Sequence, residues 1–342
     1  MMTRRDAILT GAGLAAGLML PGSRAIARGG ALWGVGGDDA SFFPWERVAE
    51  GVHAVVDFQT GGNVMLVSGN DGAILIDTKF PAIARALLRE AGERGPKLRY
   101  VVNTHHHGDH TGGNVVFQSA GVPIVAHKNT EARIAGNWQA YAGGVTGGAR
   151  FVGQFADRAT AGQVLDEAGE LMTTFETLEA DDWMPDDVMS GNERELAFGG
   201  RAAELTHFGM AAHTDNDVVV HLRDANVLHT GDLVFSGLHP YFDPSAGVKA
   251  RSWVKVLVKA RALCDDDTVV IPGHGPVGGA SIIDDQRVYL EKLIEAVQKD
   301  IDAGVPKEDT VAKTFGFMDG LGFEQIRERA IGAVHDELSG AG

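Results

Sequence analysis

The chain has 342 residues, 44% of them hydrophobic and 22% charged, with a formal net charge of -16. This is enough to bury a full core in one large domain or two smaller ones, and no internal repeat or break in composition marks a second. The acidic balance argues against nucleic acid and anionic lipid surfaces as partners, and the single cysteine, Cys264, excludes an internal disulfide.

In chain order, Arg4 and Arg5 precede an apolar stretch over residues 7–20 and a small-residue site at Ala25-Ile26-Ala27. The pattern predicts a bacterial export signal over residues 1–27, of twin-arginine type. Because the apolar stretch is short for a membrane span, the expectation is a periplasmic or secreted protein without stable membrane association once the signal is removed. Residues 28–342 then read as a single domain. Apolar runs predict strands at 52–57, 63–67 and 73–77, followed by a helix over 81–93 and a buried strand at 98–102 that feeds a loop.

That loop, Asn103-Thr104-His105-His106-His107-Gly108-Asp109-His110, packs four candidate metal ligands into six residues. Neutral imidazoles and carboxylates are the donors that hold zinc or a similar first-row ion. In an extended chain residues two apart face the same side, so His105 and His107 can share one ion while His106 points away. A turn at Gly108 brings Asp109 and His110 towards a second.

Residues 128–194 read as an insertion: helical over 129–141, glycine-rich over 143–153 and acidic over 181–187. Its aromatics, Trp138, Tyr141, Phe151, Phe155 and Trp183, are expected to pack the insertion rather than to line a substrate pocket. Three further candidate ligands stand beside expected strand ends, where a sheet can present them rigidly: His213 before the strand 218–222, Asp232 after 226–229, and His274 after 268–272. The histidines at 127, 207, 221, 229 and 239 are read as strand or loop residues. Trp253, Val256, Leu257, Ala260 and Cys264 recur at helical spacing behind Ser252 as a cap, and Leu290, Leu293, Ile294, Val297 and Ile301 do the same. A final helix is expected over 324–338, with His335 at its surface.

The run His105-x-His107-x-Asp109-His110 followed by His213, Asp232 and His274, with Asp77 closing the strand 73–77, resembles the metallo-β-lactamase-fold hydrolase superfamily. The resemblance implies an α/β fold, a four-layer αββα sandwich with the metals at one edge between the sheets. It implies two zinc ions, or other first-row divalent metals: one held by His105, His107 and His213, the other by Asp109, His110 and His274, with Asp232 bridging and Asp77 bracing the ligand loop. The implied chemistry is hydrolysis of a small ester, lactone, thioester or amide by a metal-bridging hydroxide, with Asp109 accepting a hydrogen bond from the nucleophile. Asp232 stands where one β-lactamase subclass places cysteine, which tilts the reading towards the lactonase and glyoxalase II branch. Phe235, however, replaces the tyrosine that lactonases of this fold carry, and Tyr241 is a substitute from the next loop. The alternatives are lactam hydrolysis, a mononuclear iron persulfide dioxygenase, and a non-catalytic exported metal-binding accessory protein.

Overall fold

The computed structural model describes residues 40–340, so the expected export signal lies outside the described residues. Two sheets form its centre. The first has seven strands adjacent in chain order: β1 (Trp45–Ala49), β2 (Val52–Val55), β3 (Val64–Ser68), β4 (Ala73–Ile76), β5 (Leu98–Val102), β6 (Ile124–His127) and β7 (Asp187–Met189). It is antiparallel from β1 to β4 and parallel from β4 to β7. The second sheet contains β8 (Glu193–Phe198), β9 (Arg201–Thr206), β10 (Val219–Leu222), β11 (Val227–Phe235), β12 (Val269–His274) and β13 (Gly278–Gly279), and runs β13-β12-β11-β10-β9-β8.

Parallel neighbours require a crossover, and the helices supply it. Between β4 and β5 lies α1 (Ala84–Arg94); between β5 and β6 lie α2 (Gly108–Thr111) and α3 (Asn114–Ser119). The β6–β7 connection carries α4 (Asn129–Thr146), α5 (Gly148–Val152) and α6 (Ala161–Thr173), and α7 (Ala250–Arg261) joins the parallel pair β11 and β12. After β13 come α8 (Ser281–Asp302), α9 (Lys307–Val311) and α10 (Arg327–Ser339).

The pleat sorts the side chains into three apolar layers. Val64, Leu66 and Leu75 face α1, α4 and α6, where Leu87, Ile134 and Val164 pack. Their neighbours Met65, Val67, Ile74 and Ile76 point the other way and meet Val220, Leu222 and Ile271 of the second sheet. Val219, Leu228 and Val270 face outwards again onto Trp253, Leu257, Leu290 and Ile331. This is the four-layer αββα sandwich expected. Because β3 and β4 are covered on both faces, they read as unbroken apolar runs rather than as alternation.

Several local expectations are corrected. Ser252 is not the cap of α7: the helix begins at Ala250, and Ser252 donates to the carbonyl of Ala211. The first amides of α7, those of Ala250 and Arg251, instead donate to the Glu337 carboxylate of α10. Residues 143–146 continue α4 as helix, because Tyr141, Ala142 and Val145 are buried against the first sheet's helical layer. The stretch 128–194 is not wholly an insertion, since β7 completes the first sheet and Glu193 opens β8. Its five aromatics join that helical layer, and Trp183 donates from Nε1 to the Gly112 carbonyl at 2.9 Å. His335 is half-buried rather than at the surface. Among the described residues no helix is long and apolar enough to cross a membrane.

Candidate metal centre

The carboxyl ends of parallel strands are where a sheet leaves room for a ligand. β4 ends at Ile76, and Asp77 then turns with φ 66°, its amide donating to the Val102 carbonyl at 2.9 Å. β5 runs directly into His105 and His107, and α2 carries Asp109 and His110 on its single turn. His274 is the last residue of β12, and His213 sits in the loop before β10. Asp232 lies inside β11, past the irregular pairing at Gly231, rather than beyond a strand end as expected.

These residues meet as two groups. In the first, His105 Nε2 and His107 Nδ1 are 3.0 Å apart, and His213 Nε2 is 3.1 Å from the same His107 nitrogen. Asp232 Oδ2 lies 3.7 Å from His105 Nε2 and 3.5 Å from His213 Nε2. In the second, His274 Nε2 is 3.1 Å from Asp109 Oδ2 and 3.4 Å from His110 Nε2. Asp232 reaches this group too, with Oδ1 3.1 Å from His110 Nε2 and Oδ2 3.5 Å from His274 Nε2. A tetrahedron with metal–nitrogen bonds of about 2.0–2.1 Å has edges of roughly 3.3–3.4 Å. Both sets of donor atoms are spaced for such an ion; Asp232 completes the first and lies within 3.1–3.5 Å of His110 and His274 in the second.

The outer ring atoms decide which way the lone pairs point. His213 Nδ1 faces the Tyr241 carbonyl at 3.0 Å, and a carbonyl only accepts, so that nitrogen carries the proton and Nε2 is left bare. His107 Nε2 faces Asp243 Oδ2 at 3.2 Å and His110 Nδ1 faces Asp77 Oδ2 at 2.7 Å, with the same consequence. The Thr104 hydroxyl donates its one proton to Asp77 Oδ2 at 2.8 Å, which leaves its oxygen to accept from His105 Nδ1 at 3.0 Å. Asp77 thus orients His110 directly and His105 through Thr104. It also accepts from the Thr104 amide at 2.8 Å.

The donor set fits a cation. The buried Asp232 Oδ1 has no hydrogen-bond partner among the described residues. Two glycines let backbone press close. A side chain at Gly62 would strike the His110 ring, and one at Gly273 would strike Asp232 Oδ1. Burial drives His105 well below the ordinary imidazole range and His213 down to about 3. Burial also opposes charge on His110 and His274, yet Asp232 and Asp109 outweigh it, pushing His110 well above that range and His274 up to about 9. Burial would raise Asp232, but His274, His110 and His105 hold it well below the usual carboxylate range. The carboxylates demand positive charge at the edge where the second ligand group sits.

All seven expected ligands and Asp77 are therefore brought together. His106 turns away as expected, its Nδ1 3.1 Å from the Asn216 carboxamide. Phe235 stacks on the His274 ring at 5.2 Å, and Tyr241 lies 5.5 Å from the ring of His107. Two residues escaped the sequence reading. Asp243 backs His107 across the cluster, and no local pattern marks it. Lys79 is fully buried with φ 58°, and its ammonium donates to the Gly62 carbonyl at 2.8 Å, which pins the segment lying against His110. A lysine two residues beyond an aspartate at a strand end is the only signal it leaves. His127 and His207 stack on each other at 4.2 Å, away from both ligand groups.

A hydroxyacylglutathione hydrolase of Methylococcus capsulatus is 44% identical over 57 residues, 16% of this chain and 22% of that protein. The metallo-beta-lactamase type 2 of Bacteroides fragilis is 26% identical over 104 residues, 30% and 41% of the two chains. The matched region thus spans less than half the length of either relative. Among solved structures, a metallo-beta-lactamase from Pontibacter korlensis superposes with a TM-score of 0.52 at 22% identity, covering 72% of this chain and 98% of its own. DIM-1 metallo-beta-lactamase does so with 0.52 at 19% identity, covering 72% and 96%. At these identities the likeness establishes the fold. The profile of the metallo-beta-lactamase superfamily matches residues 58–302, and the chain belongs to that superfamily.

Proposed function

We propose that the protein is an exported hydrolase that holds two zinc ions and cleaves a small ester, lactone, thioester or amide. The observation that carries this reading is Asp232, whose carboxylate faces both ligand groups at 3.1–3.7 Å. His105, His107 and His213 would hold one ion and Asp109, His110 and His274 the other. Such a pair supplies Lewis acidity and an activated water near neutral pH. The chain's own part is to orient and to handle protons. Asp77 and Thr104 fix the tautomers of His110 and His105, and Asp243 fixes that of His107. Asp109, whose side chain is 24% exposed, is the ligand most open to solvent and accepts a hydrogen bond from the attacking water.

The short match to a hydroxyacylglutathione hydrolase favours a thioester within the substrate class, and the match to the Bacteroides fragilis protein keeps lactams in view. Metal analysis of the purified protein, followed by hydrolysis assays on lactams, lactones, thioesters and phosphoesters, tests the reading. About two zinc ions per chain with turnover of one class is the expected outcome. A single iron, with oxygen consumption on persulfides, would overturn it in favour of a dioxygenase.

A further inference from the structure

The two long helices over the second sheet leave a groove on their outer side. They run antiparallel. Arg251, near the start of α7, donates to Gln298 near the end of α8 at 3.4 Å, and Arg261, at the end of α7, pairs with Asp284 in the first turn of α8 at 3.0 Å. Trp253, Leu257, Leu290 and Leu293 point into the core. On the other side the helices bound a groove of about 760 Å³, lined by the half-buried Val254 and Ile294 and by charged residues that differ in sign between the two walls. The α7 wall is basic, with Arg251 and Lys255 one turn apart; the α8 wall is acidic, with Glu291, Glu295 and Asp302 against Lys299.

Charged residues on a helix face are ordinarily just solvated. Here Lys255 and Glu295 are exposed and have no ion-pair partner among the described residues. The face is also apolar where a solvated one would not be. Of the five large hydrophobic side chains exposed among the described residues, two belong to it: Val258, 55% exposed, and Val288, 36% exposed. Val258 stands one turn beyond Val254 and Val288 one turn before Glu291, so both continue the groove's lining. The antiparallel register that joins Arg251 to Gln298 and Arg261 to Asp284 sets these two valines across from each other.

We propose that this face is a self-complementary interface through which two copies of the chain form a symmetric dimer. A half-turn about an axis running along the groove lays the basic wall of each copy on the acidic wall of the other, with Lys255 facing Glu295 and Val258 facing Val288. A half-turn about the perpendicular axis would set like charges together, so charge selects the first arrangement. A purely acidic or purely basic peptide would be repelled by one wall. A second copy satisfies both.

The test is sedimentation velocity on the purified protein. Between about 1 and 100 µM the wild type passes from monomer to dimer, the range of a small, partly polar interface, and about 1 M NaCl, which screens charges beyond about 3 Å, shifts it back towards monomer. Lys255→Glu raises the Kd by about 2- to 30-fold, the loss of two exposed ion pairs per dimer, and Glu295→Lys does the same. The double variant Lys255→Glu with Glu295→Lys restores both pairs with their signs exchanged and returns the Kd to near the wild-type value. Val258→Asp weakens the dimer, whereas Leu165→Asp, exposed on α6 over the first sheet, leaves it unchanged. A wild type that stays monomeric at 100 µM refutes the interface. So does a double variant no tighter than its single parents, because the charges then do not meet, and so does an equal loss in Leu165→Asp and Val258→Asp, which puts the contact elsewhere.

Discussion

Replacing Asp77 by asparagine changes one buried atom from acceptor to donor and little else. The left-handed backbone at Asp77 is tolerated by asparagine, so strain does not enter the comparison. The carboxylate takes three hydrogen bonds: Oδ1 from the Thr104 amide, and Oδ2 from the Thr104 hydroxyl and from His110 Nδ1. If the new carboxamide oxygen keeps the Thr104 amide, its NH2 faces His110 Nδ1, and the imidazole must move its proton to Nε2. That proton then points at Asp109 and Asp232, where a metal lone pair is needed. The opposite orientation leaves the Thr104 amide facing another donor, a buried mismatch of about 1–3 kcal/mol. Losing such an outer partner lowers metal affinity by about 10- to 100-fold, or about 1.4–2.7 kcal/mol. Urea unfolding of the metal-free protein should report the first loss, and zinc titration against a chromophoric chelator the second, largest at the site that includes His110. Two zinc ions bound with wild-type affinity, together with an unchanged urea midpoint, would refute the tautomer argument.

Three further outcomes are expected. Asp232→Asn should lower zinc content towards one ion and reduce hydrolysis with the fold retained by circular dichroism; Asp215→Asn, which weakens its side-chain contacts with Arg133 and Asn216, should keep both ions. Asp217 is no equivalent control, because it is buried, accepts from the Thr214 amide and hydroxyl, and would destabilise its own loop. Burial lowers the Lys79 ammonium to about 8, below its unfolded value, so the unfolded chain binds more protons between pH 8 and about 10.5 and stability rises with pH across that window. Relative to Lys79→Met, the wild-type unfolding free energy should climb by about 2–3 kcal/mol from pH 7.5 to 10.5; a flat difference would show that Lys79 keeps its ordinary affinity for protons. Finally, we propose that Arg4→Lys with Arg5→Lys blocks export and that cleavage falls near Ala27, outcomes read by fractionation and by sequencing the mature N-terminus; unchanged export would remove the twin-arginine assignment.

The candidate ligands were legible because metal chemistry admits few donor side chains, and because His105, His107, Asp109 and His110 are neighbours in the chain, where spacing alone carries the information. Single elements were legible for a related reason: two-face burial of β3 and β4 writes itself as apolar runs, and the core faces of α7 and α8 as stripes at helical spacing, whereas their layered arrangement was read only from the resemblance to the superfamily. Ends of elements were less so. Ser252 resembles a cap because hydroxyls commonly serve as one, yet the amides of α7 find the Glu337 carboxylate, which is 87 residues away and closer in space. Glycines 143 and 144 suggest a break, and burial of their neighbours against the first sheet overrides that preference.

What tertiary structure alone decided is orientation. Residues by themselves determined that imidazoles and carboxylates sit at strand ends, but not which ring nitrogen of each faces inwards. His107 is set by Asp243, 136 positions on, and His110 by Asp77, 33 positions before it. A hydrogen bond has a direction and a range of about 3 Å, and sequence patterns carry neither between residues so far apart. The chain therefore spells out the chemistry of its ligands locally, while the folded sheets, by bringing distant acceptors behind each ring, decide which atoms are left bare to use it.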